Sequence, residues 1–432
     1  STLSILFPDD WNKKVLSTNS TMVSGSSNLS NFPVLITLTS DSDLSTSKVG
    51  SSGQGIRFTS DGTTLLDYEI EKYTGDANSG TLVAWVKVPT LDHDDTTYIY
   101  IHYGQTIAQS DADATANNVW AESGESQEYV VVNHFMSALD TDNDTEELIG
   151  SVAGEGDDFN TNNMDTATNQ VTGKIGKALD MNEGSTTNER VCLEVDNITN
   201  ASQCRGENPI FDDPVSVRTV SLWYKADDVN TEFPQVLFEE GGESKGQVIY
   251  LFENKIFACT TKWNGVCVSS TTTANEWHHV ALAWASGTTS YLYHDGVQVA
   301  DFTGRDLLQH NNPSALGNIA GDTNMTLAGG LANRASYTDD KYSFDGIIDE
   351  FRVTNTELTS AEIQTMYNSE SNDDFIKVGV VLSESISFTD SISTAAGVNL
   401  SESISLTDSI SKAAGVNLTE SVSLTDSIAK GV

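Results

Sequence analysis

The sequence predicts an all-β chain, two β-sandwich domains followed by a tail of β-repeats, and three observations carry that prediction. Short β-branched or aromatic runs bounded by Gly, Asp, Asn or Ser recur along the chain: FPVLITLTS, TLVAWVKVP, TYIYIHY, VSLWYKA, QVIYLF, HHVALAW and SYLYHDG. That is the composition of strands closed by turns. Only TSAEIQTMYNS, at 359–369, has helical periodicity, with Thr359 or Ser360 as cap and Ile363, Met366 and Tyr367 on one face. Past Ser371 the chain becomes Ser/Thr-rich and repeats every 18 residues, with Glu384, Glu402 and Glu420 in register and Asp390, Asp408 and Asp426 likewise.

A chain of 432 residues exceeds what one core ordinarily organises, because single cores stop growing at roughly 250–300 residues. Composition places the divisions: a first sandwich over 1–112, a small polar connection over 113–127, a second sandwich over 128–370 and the repeats over 371–432.

The balance of 62 acidic against 22 basic residues gives a formal charge of −40, spread along the chain. Such a surface repels phosphates and anionic lipid heads, which argues against nucleic acid and membrane-surface partners. Unneutralised carboxylate is best tolerated in salty water or with bound divalent cations, so structural calcium (Ca2+) is the expected cofactor. No apolar run approaches the ~20 residues that span a bilayer, so no membrane insertion is expected within this chain. The chain begins at Ser1 without a basic-then-apolar leader, as expected of an exported, processed form.

The cysteines fall into two close pairs, Cys192 with Cys204 and Cys259 with Cys267. Local pairing is expected, since Cys259 and Cys267 bracket the turn-like Trp263-Asn264-Gly265 and a hairpin would bring them together. Four free buried thiols are the alternative, and an oxidising exterior weighs against it. Eight Asn-x-Ser/Thr sequons, at Asn19, Asn28, Asn143, Asn197, Asn200, Asn324, Asn399 and Asn417, offer glycosylation sites, although such triplets also arise by chance in this composition.

Two resemblances follow from longer motifs. Trp11, the NFPVLI run from Asn31, GIRFTSDGTTLLDYEIEKY from Gly55, GTLVAWVKVPTL from Gly80, YIYIHYG ending at Gly104, and Asn118-Val119-Trp120 stand in order. Over residues 11–120 the chain thereby resembles a domain family of unknown function found at the front of prokaryotic surface proteins, which implies a β-sandwich without established chemistry. GKIGKALDM from Gly173, VSLWYKADD from Val220, EWHHVALAW from Glu276, YLYHDGVQVA from Tyr291 and FDGIIDEFRVTNTEL from Phe344 lead into the helix. Residues 128–369 thus resemble the laminin-G-like, concanavalin A-like family. That resemblance implies two packed antiparallel sheets, calcium at the sheet rim, and glycan or protein adhesion. Residues 183–214 have no counterpart in it. The Ser/Asp/Glu repeats are similar to those of large archaeal surface proteins, an analogy only.

In the repeats, Leu382, Glu384, Ile386, Phe388, Asp390 and Ile392 share one strand face, while odd positions are Ser or Thr. Stacking the copies in parallel sets Glu on Glu and Asp on Asp about 4.8 Å apart. Folding them as hairpins opposes Glu384 to Asp408 and Asp390 to Glu402. Both arrangements pair like charges, which a bridging calcium relieves. A solvated, glycosylated stalk is the plain alternative, and a strand that leaves its own subunit to complete a neighbour's sheet, giving a filament, is a third.

Elsewhere, Asp140, Asp142 and Asp144 alternate as ligands do in calcium loops, but Thr145 stands where the sharp turn needs Gly, leaving a solvated acidic loop as the alternative. Asp349 and Glu350 match positions that stay acidic in laminin-G-like domains, so Asp349 is read as a rim-calcium or salt-bridge residue. Trp263, at the expected hairpin tip, is the candidate for stacking on a sugar ring. Trp223, Trp277 and Trp284 sit in apolar runs and read as core.

Enzymatic readings fare less well. Asp67, Glu69 and Glu71 alternate like a glycosidase carboxylate triplet but lie in the front domain, away from the concanavalin A-like part. Gly242-Glu243-Ser244-Lys245-Gly246 fits a nucleophile motif but leads into a strand instead of a helix. His278-His279 has no further ligand at metal spacing and reads as packing. The expected protein is extracellular or cell-surface, structural, adhesive or filament-forming, and not an enzyme, with glycans or other surface proteins as partners. A lectin-like module is the alternative, and a glycoside hydrolase the outside reading.

Overall fold

The computed structural model describes residues 11–106, 116–120, 129–136 and most of 160–379, excepting 163, 165–167, 182–188, 194–203, 205–208, 243–244, 262–265, 305, 310–313, 320–325, 328–330 and 333–341. Within them the chain is all-β, and every strand pair is antiparallel. Residues 1–381 form one compact unit, and the repeats from Leu382 lie outside the described residues.

The first sandwich stacks two sheets. One orders the strands Ile376–Gly379, Asn12–Thr18, Tyr98–Tyr103 and Arg57–Thr59; the other orders Leu29–Asp41, Gly80–Leu91 and Tyr68–Gly75. Strand alternation puts Val34, Ile36, Ala84 and Val86 on one face, where they join Leu16, Phe58, Ile99 and Ile101 in the core. The intervening Leu35, Val83 and Trp85 face the other way. The strand Ile376–Gly379, placed in the repeat tail by composition, pairs instead with Asn12–Thr18, Leu16 opposite Val378. The first sandwich is therefore completed by residues from beyond the second.

The second sandwich sets an eight-stranded sheet over a seven-stranded one. The first runs Val297–Thr303, Thr289–His294, His278–Ala285, Val217–Ala226, Gly346–Thr354, Lys177–Met181 and Gln170–Thr172, with Tyr129–Asn133 also on Gly346–Thr354. Val220, Leu222, Val280, Leu282, Ile348, Phe351 and Val353 meet Leu237, Phe238, Ile249, Leu251 and Ile256 between the layers. Alternation turns Ala281 and Ala283 to the outer face, and their small size admits the helix Ser360–Ser371, whose Ile363 and Met366 pack there. Thr359 is its cap, in a capping box with Glu362. These residues belong to the same apolar cluster as the first sandwich's core, so, besides the core between its own layers, the second sandwich contributes its outer face to that shared cluster. Part of the expected linker takes part in it: Ala116–Trp120 is a helical turn that buries Trp120.

Both disulfides are local, as expected. Cys259 and Cys267 face each other across adjacent strands with Cα atoms 4.1 Å apart, and Cys192 joins Cys204 at 5.2 Å. Trp223 and Trp284 are buried, but Trp277 is only half-buried, because it precedes the strand His278–Ala285 instead of lying in it. Gly242 and Lys245 pair at the end of a strand–strand hairpin, which is no nucleophile elbow.

Candidate functional site

The densest polar chemistry lies where the sandwiches meet, and β-bulges on both sides aim it there. On the strand Tyr68–Gly75, Glu71 is an extra residue between the pairs Ile70–Ala84 and Lys72–Val83. On Gly346–Thr354, Glu350 and Phe351 together oppose Leu222, and Glu350 takes a left-handed φ of 50°. Such a conformation costs a non-glycine residue about 1–3 kcal/mol. It allows two consecutive acids, Asp349 and Glu350, to sit with Arg352 on the outer face while Ile348, Phe351 and Val353 stay in the core.

His134, just past the strand Tyr129–Asn133, completes the cluster. Its Nδ1 lies 2.9 Å from both Glu350 carboxylate oxygens and 3.6 Å from Glu71 Oε2, and its Nε2 lies 3.4 Å from Glu69 Oε2. Trp85 Nε1 donates to Glu71 Oε2 at 2.9 Å and Trp120 Nε1 to Glu69 Oε2 at 2.7 Å. Arg352 donates to Glu350 and Glu370, and Trp223 Nε1 donates to Glu370. The Arg352 guanidinium also stands 4.5 Å from the Trp85 ring centroid. Glu71 Oε1 and His134 Nε2 find no hydrogen-bond partner among the described residues.

Burial and the Glu350 charge push the Glu71 carboxyl up to about 8, and burial raises Asp349 and Glu370. Burial alone would lower His134, but Glu350, Glu69 and Glu71 raise it well above its usual value. Glu350 goes down because His134 and Arg352 outweigh its burial. Glu71, Asp349 and Glu370 are the carboxyls this site drives toward the protonated form.

A second cluster stands at the rim. His278 Nδ1 is 2.8 Å from Asp295 Oδ2, His294 Nε2 is 4.0 Å from the same oxygen and 3.0 Å from the Tyr224 hydroxyl, and Thr273 Oγ1 is 2.8 Å from His278 Nε2. No local motif marks it, since His294 lies sixteen residues from His278 and only strand pairing joins them. The adjacent His279 does pack, against Trp223 and Tyr367. Beside the start of the helix Ser360–Ser371, an open groove of about 480 Å³ is lined by Thr288, Thr289, Tyr291, Tyr293, Gln298 and Glu357, among others.

The residues singled out from sequence are distributed unevenly. Asp349, expected at the rim, is fully buried under the first sandwich, and its two oxygens accept backbone N–H bonds from Ile175 at 2.9 Å and Glu350 at 2.8 Å. The expectation that it stands at an exposed rim is thereby corrected. Asp140, Asp142, Asp144, Glu384, Asp390, Glu402, Asp408 and Trp263 lie outside the described residues, as do Asn143, Asn197, Asn200, Asn324, Asn399 and Asn417. Asn28 is exposed and holds Asp92 and His93; Asn19 is half-buried and caps a short turn. Glu69 and Glu71, set aside because they lie in the front domain, face the second sandwich after all.

Comparison with known families defines the fold class first: residues 207–364 match the concanavalin A-like lectin/glucanases superfamily, so a laminin-G-type domain is present. Residues 52–145 match the domain of unknown function DUF2341, which is present as well. Among solved structures, the binding domain of Paraclostridial Mosquitocidal Protein 1 is similar at 14% identity over 56% of this chain and 52% of that one, TM-score 0.38. A botulinum neurotoxin type C structure concerned with two ganglioside molecules is similar at 11% identity over 56% and 51%, TM-score 0.37. Domain 4 of AbnA, an extracellular arabinanase of Geobacillus stearothermophilus in complex with arabinotriose, is similar at 18% identity over 56% and 100%, TM-score 0.37. The chain spans about half the length of the toxin structures it matches. No curated protein matches the chain. Among the described residues, no helix is long and apolar enough to cross a membrane.

Proposed function

We propose that this is an extracellular, non-catalytic adhesion protein whose concanavalin A-like sandwich binds glycan. The groove beside the helix supports the reading. Tyr291, half-buried with the buried Tyr293 ring 6.3 Å behind it, offers aromatic surface for sugar C–H edges, and Gln298, Glu357, Thr288 and Thr289 offer partners for hydroxyls. The buried carboxylates of the junction, by contrast, face one another inside the fold, whereas a glycosidase pair must flank a bond in a cleft. Glycan-array binding with the full chain tests this: Tyr291→Ala should weaken any signal roughly tenfold or more, about 1.4 kcal/mol. Undiminished binding, or release of reducing sugar, would sink it.

Self-assembly is the second reading, favoured by the edge strand Ile376–Gly379, which closes the first sandwich with residues lying immediately before the repeats. The same strand supplied by a neighbouring copy would link subunits, and ordered polymers in electron micrographs of the purified chain would bear that out. Calcium belongs to this proposal through the repeats and Asp140, Asp142 and Asp144. Circular dichroism unchanged by chelator would remove it.

A further inference from the structure

We propose that Glu71, His134 and Glu350 form a transition-metal site, zinc by its donor set, that clasps the two sandwiches together. Each residue presents one ligand atom, and the three lie within 4.8 Å of one another. The separations from His134 Nδ1, 2.9 Å to Glu350 and 3.6 Å to Glu71, bracket the roughly 3.3 Å expected between ligands around a tetrahedral ion with bonds of 2.0–2.1 Å. An imidazole among carboxylates suits zinc better than calcium, which prefers six to eight oxygens.

Two further observations point to a cation. Glu71 keeps a buried carboxylate oxygen, Oε1, without a hydrogen-bond partner among the described residues, and its side chain and that of His134 are over nine-tenths buried. Unpaired atoms of that kind in a charged interior call for an ion or water. The outer groups are also in place: His134 Nε2 points to Glu69 at 3.4 Å, Trp85 holds Glu71, and Arg352 holds the Glu350 oxygen Oε2, leaving Oε1. A metal-bound histidine ordinarily directs its other ring nitrogen to such a carboxylate. Glu71 comes from the first sandwich and the other two ligands from the second, so binding would be coupled to their docking.

Because the site is buried, the test begins with the full oxidised chain unfolded in guanidinium and refolded with Zn2+, then dialysed exhaustively. One zinc per chain by elemental analysis, with a thermal midpoint that falls in strong chelator, is the expected result. Glu71→Gln and His134→Gln should both bring the stoichiometry to near zero, while His294→Ala, at the rim cluster, leaves it at one. Should those variants not fold, Co2+ in the wild-type chain serves instead, giving visible d–d absorption without a thiolate charge-transfer band, since all four cysteines are bridged. No retained zinc and no cobalt spectrum in the wild-type chain, or zinc lost in His294→Ala but kept in Glu71→Gln, overturns the proposal.

Discussion

Between the layers of the second sandwich, Val220, Leu222, Val280 and Leu282 meet Leu237, Ile249 and Leu251, with the Arg218–Glu240 ion pair a polar exception. A few ångströms outward, across the same eight-stranded sheet, the junction with the first sandwich buries Glu71, Asp349, Glu350, Glu370, His134 and Arg352. Both regions are equally closed to water, yet one is held by apolar area and the other by charges that must find each other. An apolar core tolerates approximate partners, whereas a buried charge is stable only with its counter-ion in place. The junction therefore fixes how the sandwiches meet, and removing one member is expected to break it abruptly.

The largest expected effect tests that contrast directly. Arg352→Ala strands Glu350 and Glu370 without their guanidinium and should cost about 3–5 kcal/mol in urea unfolding. Leu282→Ala in the apolar core should cost about 2–5 kcal/mol. Conserving size sharpens the comparison: Leu282→Met should cost under about 1.5 kcal/mol, while Arg352→Met should remain near the alanine value. Equal tolerance of methionine at both positions would break the distinction.

What the sequence disclosed follows the same division. The strand runs and the helix Ser360–Ser371 were legible because alternation and helical periodicity are local, and the cysteine pairs because each is closed by a short loop. The junction was not legible, since its members arrive from residues 69–71, 134 and 349–370 and nothing local marks their meeting. A signal did exist: LDYEIEKY and IIDEFRV embed charges in otherwise apolar strands, and such charges either face water or find partners. Assigning the two motifs to separate domains hid the partnership. The bulges at Glu71 and Glu350 concealed it further, because an added residue shifts which side chains share a face.

The next effect lies away from the junction. Cys259 and Cys267 close a loop of sequence separation 8 on the seven-stranded sheet. Chain-entropy reasoning gives such a bridge about 2–3 kcal/mol. Replacing both by serine should lower the urea midpoint accordingly and leave the response to Arg352→Ala additive, as expected of distant sites. Strong non-additivity would mean that the sheet and the junction are coupled.

Histidine gives the smallest and most selective comparison. His279, beside Trp223 and Tyr367 near the junction, is lowered to about 3 by burial and then by the Arg352 charge; His102, beside Thr59 in the first sandwich, is lowered to about 4 by burial and then by Lys13. In the unfolded chain both take up a proton as pH falls through about 6.5, but in the folded chain they resist until pH 3 and 4. Their contribution is thus intact above pH 6.5 and is lost as the solution is acidified, by about 1.4 kcal/mol per pH unit for each fully neutral histidine. Between pH 6.5 and 5.5 the melting temperature should fall, and His279→Gln and His102→Gln should each flatten that slope. Only the His279 effect should depend on Arg352: in an Arg352→Met background the folded chain protonates His279 at a higher pH, read by NMR titration, because the nearby positive charge is gone, while His102 is unchanged. Identical responses of the two histidines would show that the charge at the junction does not reach His279.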